Sequence, residues 1–214
     1  MKGITFGEYH SYRDFKLILS NKEIEAPAVK EMHVDIQGAD SDLDLTEFFG
    51  EPKYSNARHK FNFTTVYKET EFLSAFTAIK NAIHGKKKRV ILDDDPSFYY
   101  VGRLFVTKFT DERNIGILQI EADCEPYKYK LEKTVVSKAI VDKDIIVLSN
   151  ARKRAVPEVV IDTAASLRLE YQGNIWDLGS GSFTLPELEL AEGENTVTVT
   201  GTGTVTFTYQ EGAL

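Results

Sequence analysis

Apolar and polar positions alternate along most of this chain, and one stretch replaces that alternation with a helical period. Ile4-Thr5-Phe6 and Phe15-Lys16-Leu17-Ile18-Leu19 read as short strands. Met32-His33-Val34-Asp35-Ile36 alternates with period two and predicts a half-buried strand. His59 to Tyr67 predicts another, as do Arg89–Leu92, Phe98–Leu104 and Ile115–Ala122. The exception lies between them. Phe72, Phe76, Ile79 and Ile83, with Ala75 and Ala82, recur at spacings of three and four and predict a helix over about 70–84. Thr70 is placed to cap it, Glu71 suits the first turn, and Gly85 followed by Lys86, Lys87 and Lys88 suits its end. The stripe is expected to face the N-terminal sheet.

After Lys130 no helical pattern recurs. Short strands alternate with turns at Thr134–Ile140, Ile145–Leu148, Val159–Ile161, Ser166–Tyr171 and Asn174–Leu178. Glu192-Gly193-Glu194-Asn195 reads as a turn into Thr196–Thr208, where valine and threonine alternate apart from Gly201 and Gly203 and Phe207 continues the apolar face. The fold class is mainly β, a β-rich α+β chain. Residues 1–130 form a β-sandwich or barrel-like domain with one helix, and residues 131–214 a β-sandwich.

Of 214 residues, 42% are apolar and 28% charged, which excludes a disordered chain. The lone cysteine, Cys124, excludes an intrachain disulfide framework and a multi-cysteine zinc site, and fits cytosolic synthesis. No stretch approaches the roughly eighteen apolar residues of a spanning helix, so no membrane insertion is expected. Net charge is −7, and residues 155–214 hold nine acids against the single base Arg168. With no broad basic excess, no nucleic-acid binding is expected.

Little catalytic chemistry stands out. Asp40, Asp42, Asp44 and Glu51 match positions of a calcium loop, but Leu45 occupies the place that needs glycine, so a solvated turn is the better reading. Asp93-Asp94-Asp95 before Pro96 offers carboxylates for acid/base work, and also reads as an ordinary strand connection. The four histidines show no metal-ligand spacing. Trp176 is a candidate for stacking on a sugar ring, although a core tryptophan in a small sheet domain is the commoner case. No catalytic residue, metal or cofactor is expected, and the chain is read as a non-enzyme.

A longer pattern adds to this. Met1-Lys2-Gly3-Ile4-Thr5-Phe6-Gly7, Tyr12, Asp35-Ile36-Gln37-Gly38-Ala39-Asp40, Leu43-Asp44-Leu45-Thr46, Gly50, Tyr54-Ser55-Asn56-Ala57-Arg58 and Phe61-Asn62-Phe63 resemble the distal tail proteins of siphophages. So does the acidic C-terminal part, with Leu188-Glu189-Leu190 and Gly193-Glu194-Asn195.

The resemblance implies a structural protein of the virion tail tip, made in the host bacterial cytoplasm, with a galectin-like C-terminal sandwich. It implies a homo-hexameric ring continuing the tail tube. This hub would join the major tail protein to a tail-associated lysin or fibre protein and to a receptor-binding protein. A cyclic subunit needs an extended segment reaching its neighbour. The interface candidates are Gly38, Asp40, Leu43, Leu45, Phe48 and Tyr54. The alternative is a carbohydrate-binding module using Trp176.

Overall fold

The computed structural model describes residues 2–65, 67–112 and 115–214. Met1 of the opening pattern and Val66 of the predicted strand lie outside them. The chain divides into two compact units, one ending at Lys128 and one beginning at Tyr129.

The first unit contains β1 (Ile4–Phe6), β2 (Tyr9–His10), β3 (Leu17–Glu23), β4 (His33–Val34), β5 (Leu43–Asp44) and β6 (Ala57–Thr65). A 3-10 turn, Glu69–Glu71, leads into α1 (Phe72–Ile83), followed by β7 (Lys87–Leu92), β8 (Phe98–Glu112) and β9 (Ile115–Cys124). Antiparallel ladders run in the order β2-β1-β7-β8-β9-β6-β3. Three strands separate β1 from β6, about 19 Å in a flat sheet. Yet Phe6 on β1 meets Phe61 and Phe63 on β6 edge to face, at 5.9 and 6.2 Å between centroids. The sheet is therefore curled around its core in a barrel-like way. Register shifts at Val106/Lys108 and Leu19/Asn21 supply local bends.

The helix closes one side of this core. Phe72, Ile79 and Ile83 are buried, and Phe76 is half-buried and stacked on Phe109 at 5.1 Å. Its start differs from expectation. Thr70 lies within the 3-10 turn, and Glu71 takes the N-cap position without a capping hydrogen bond from its side chain. Its end follows the lysine run, because Lys86 Nζ donates to the carbonyls of Asn81 and Ala82. Strand β8 continues well past Leu104 because β9 supplies a ladder out to Glu112.

The second unit is a sandwich. After β10 (Lys128–Lys130) come β11 (Thr134–Ile140), β12 (Lys143–Asn150), β13 (Glu158–Asp162), β14 (Leu167–Tyr171) and β15 (Asn174–Leu178). Then follow β16 (Gly181–Thr184), β17 (Gly193–Thr200), β18 (Gly203–Tyr209) and β19 (Gly212–Ala213). One sheet has the order β11-β18-β13-β16 and the other β12-β17-β14-β15. Leu148, Leu169, Val199 and Phe207 are fully buried between them. The Val/Thr alternation expected as one strand is two, β17 in one sheet and β18 in the other. Gly201 makes the crossing at φ +127°, where a Cβ would also stand 2.9 Å from Leu167 and from the Ser166 carbonyl.

Candidate functional site

The first unit carries a segment that its core does not cover. Strands β3 and β6 pair as a hairpin, and the chain between them, residues 24–56, leaves the barrel as a two-stranded arm. At the arm's root, Glu25 N–H donates to His59 Nδ1 (3.3 Å), and Arg58 N–H donates to the Glu25 carboxylate (3.0 Å). The legs are then held by Ser55 N–H to Ala28 O (2.8 Å) and Lys30 N–H to Lys53 O (2.7 Å). Further out, Leu45 N–H donates to Met32 O (2.8 Å), and β4 pairs with β5 in the register His33/Asp44 and Val34/Leu43.

The return leg is longer, and its surplus forms two tight turns closed by Phe48 N–H to Leu45 O and Gly50 N–H to Glu47 O. These turns carry Phe48 and Phe49 outward, 70% and 82% exposed, with their rings edge to face. Along the rest of the arm Ile24, Val29, Met32, Val34, Ile36 and Leu43 are exposed as well. The half-buried strand predicted over Met32–Ile36 is thus only a two-residue ladder lying in the open. Among the described residues no second layer covers it, so its alternation buries nothing. A contiguous exposed apolar surface of this kind marks a place where another surface binds.

All six interface candidates lie within this arm. Gly38 is in the tip turn at φ +88°, Asp40 follows it and is exposed, Leu43 is in β5, Leu45 is half-buried, and Phe48 is at the surface. Tyr54 sits at the base, bridging to Val29 and packing edge to face on Tyr127 at 6.0 Å. Sequence reading missed Phe49, the most exposed aromatic ring of the arm. It also missed a charge signal: residues 24–56 hold eight acids and two bases, a net −6.

The acidic spacing at the tip does not assemble a cation site. Asp44 Oδ1 accepts the Thr46 N–H at 2.9 Å, and the Thr46 side chain first, then this N–H, hold the Asp44 pKa below its ordinary value. Among the described residues no group of three or more His, Cys, Asp or Glu is placed to hold a metal ion.

The Asp93–Asp95 turn is engaged elsewhere. Asp93 accepts from Gly3 N–H (2.7 Å) and from His10 Nε2 (3.1 Å), Asp94 pairs with Lys22, and Asp95 pairs with Lys128 (2.7 Å). Each carboxylate ties a different segment to the β7–β8 connection. Trp176 stands opposite Leu169 and is half-buried against the C-terminal core. Among the described residues no helix is long and apolar enough to cross a membrane.

No family model matches the chain, and no curated protein matches it in sequence. A solved structure does match. It is the SPP1 Dit (gp 19.1) protein, described as a paradigm of the hub adsorption apparatus in phages that infect Gram-positive bacteria. The superposition has a TM-score of 0.73 and covers 98% of this chain and 99% of that one, at 13% identity. The fold is that of SPP1 Dit. At so low an identity the likeness concerns architecture, and both units described above belong to it.

Proposed function

We propose that this protein is the structural hub of a siphophage tail tip, assembling as a closed ring of six copies and carrying no enzymatic activity. The observation that carries this reading is the match to SPP1 Dit along nearly the whole chain. The arm supports it independently, since a single copy leaves Leu43, Phe48 and Phe49 in water and ring closure gives them cover. In the virion the ring continues the tail tube. It joins the major tail protein to a tail-associated lysin or fibre protein and to a receptor-binding protein, and it is made in the cytoplasm of the bacterial host. Its role is mechanical, which agrees with carboxylates spent on tying strands together.

Native mass spectrometry tests the ring. Six copies of a 24.1 kDa chain give a species of about 145 kDa. It should form in the wild type and be lost in Leu43→Asp/Leu45→Asp while far-ultraviolet circular dichroism is unchanged. A wild type that stays monomeric or dimeric at high concentration, even with tail-tube protein present, overturns the reading.

A further inference from the structure

We infer that the arm of one copy docks on the helix side of the next copy's N-terminal unit, with its apolar side chains seated around Leu73. This rests on the ring reading and supplies the second of the two patches a cyclic contact requires.

Three observations converge on that surface. The first is apolar. Helix α1 buries its Phe72, Ile79 and Ile83 face and leaves Leu73, one residue or about 100° further round, 72% exposed on its flank. A small notch between helix and sheet is lined by Leu17, Tyr67, Phe72, Phe76, Phe109 and Leu118, and Leu73 directly follows one of these lining residues on the helix. A leucine this exposed next to an apolar notch matches the character of the arm, whose Leu43, Phe48 and Phe49 have no cover of their own.

The second is charge. Residues 67–92 hold six bases and two acids, a net +4, against −6 for the arm. Lys87 and Lys88 already pair with Glu125 and Glu8. Lys80 lies two helical turns from Leu73 on the same exposed face, its ammonium over the Phe76 ring at 5.1 Å. An acidic, apolar arm and an apolar helix flank whose one charged residue is Lys80 are complementary, which steers encounter and selects register.

The third is placement. The arm leaves the β3–β6 hairpin at Glu23 and Ala57, while the notch touches the other end of the same hairpin at Leu17 and Thr65. The eight steps from Ala57 to Thr65 in β6 put these ends about 26 Å apart at about 3.3 Å per residue. An arm pointing away from its own notch is arranged to fill that of the following copy, which is the head-to-tail geometry of a ring.

Photocrosslinking of the full chain tests this. Leu73 is replaced by benzoylphenylalanine, and isotopically labelled and unlabelled copies are mixed before irradiation. Trypsin then releases residues 31–53 of the arm as one peptide, cut after Lys30 and Lys53. The expected product is residue 73 of one copy joined to the 31–53 peptide of another, in mixed-isotope pairs. Oligomers that form while residue 73 crosslinks to another segment, to its own copy or to a different protein would overturn the docking and leave the ring standing. No oligomer at all would overturn both. Leu73→Asp is the second arm of the test. It changes an exposed position, so circular dichroism should be unaltered while association weakens about tenfold or more. Unchanged association contradicts the inference.

Discussion

His10 leaves no room for a side chain on Gly3: a Cβ there would lie 2.6 Å from His10 Cε1 and 2.8 Å from Ser11 Oγ. The closeness follows from a shared partner. Gly3 N–H and His10 Nε2 both reach Asp93 Oδ2, at 2.7 and 3.1 Å. His10 Nδ1 accepts the N–H groups of Tyr12 and Arg13, so the ring proton resides on Nε2 and is donated to Asp93. Burial alone would raise the Asp93 pKa, but the bonds from His10 and Gly3 outweigh it and hold it below the ordinary carboxylate value.

Gly3→Ala should therefore destabilise the protein by about 1–3 kcal/mol, the usual range for overpacking. His10→Ala in the same chain removes the clash, so the double variant should cost less than the sum of the two single changes. Urea denaturation of the four proteins checks this. Strict additivity would show that the close approach is not what makes glycine necessary.

The helix gives a graded prediction. Ile79 is buried and Phe76 only half-buried, so Ile79→Ala should cost about 2–5 kcal/mol. Phe76→Ala should fall below the roughly 3–5 kcal/mol of a fully buried ring, because much of that ring is already in water. Thermal melts of the two variants decide it. A larger loss at Phe76 than at Ile79 would mean another surface completes the burial of that ring.

How far such elements can be read from sequence depends on what their alternation is packed against. The stripe from Phe72 to Ile83 and the strand Thr134–Ile140 were legible because each has one buried face. Met32 to Ile36 alternates just as regularly, yet its apolar side chains are exposed. Periodicity reports that a face is meant to be covered, not that its own chain covers it. The break at Gly201 was missed for a related reason. Gly201 and Gly203 replace valine at the crossing but threonine keeps every second place, so the alternation resumes in the same phase, since both sheets share one core. The arm's acidity could have been counted from the residues alone. The lysine-bearing helix flank needed the fold, because Leu73 and Lys80 share a side only once the stretch is a helix.

Asn195 holds the C-terminal sandwich at the turn into β17. Its Oδ1 accepts from Ala191 N–H and the Tyr171 hydroxyl, both at 2.9 Å, and its Nδ2 donates to the carbonyl of Ala191 at 2.9 Å. Asn150 Nδ2 donates to the carbonyl of Leu190 (3.1 Å), so two amides fix the same short segment. Leu188 and Leu190 are fully buried there. Asn195→Ala orphans several buried groups and should cost about 2–4 kcal/mol, while Tyr171→Phe removes a hydroxyl that also reaches the Glu189 carbonyl and accepts from Gln172 Nε2, both at 3.0 Å, and should cost less, about 1–2 kcal/mol. Equal losses in chemical denaturation would show that the tyrosine bond dominates.

His59 sets a pH dependence at the root of the arm. The ring is 2% exposed and lies edge to face on Tyr100 at 4.6 Å. Its Nδ1 accepts the Glu25 N–H, which leaves the proton on Nε2, where no hydrogen-bond partner is found among the described residues. A second proton would break the Glu25 bond and leave a buried cation. Burial lowers the pKa below its ordinary value of 6.5, and the Glu25 carboxylate opposes this with the smaller effect. The unfolded chain therefore binds the proton more readily than the folded one. The stability that the neutral ring contributes is complete above about pH 6.5 and declines as pH falls from there towards the folded value. His59→Phe keeps an aromatic ring against Tyr100 and removes the titration. Between about pH 7.5 and pH 5.5, the wild type should lose stability relative to this variant in denaturation midpoints at matched ionic strength. Parallel pH profiles would mean that His59 is protonated equally in both states, and that the arm root is indifferent to acid.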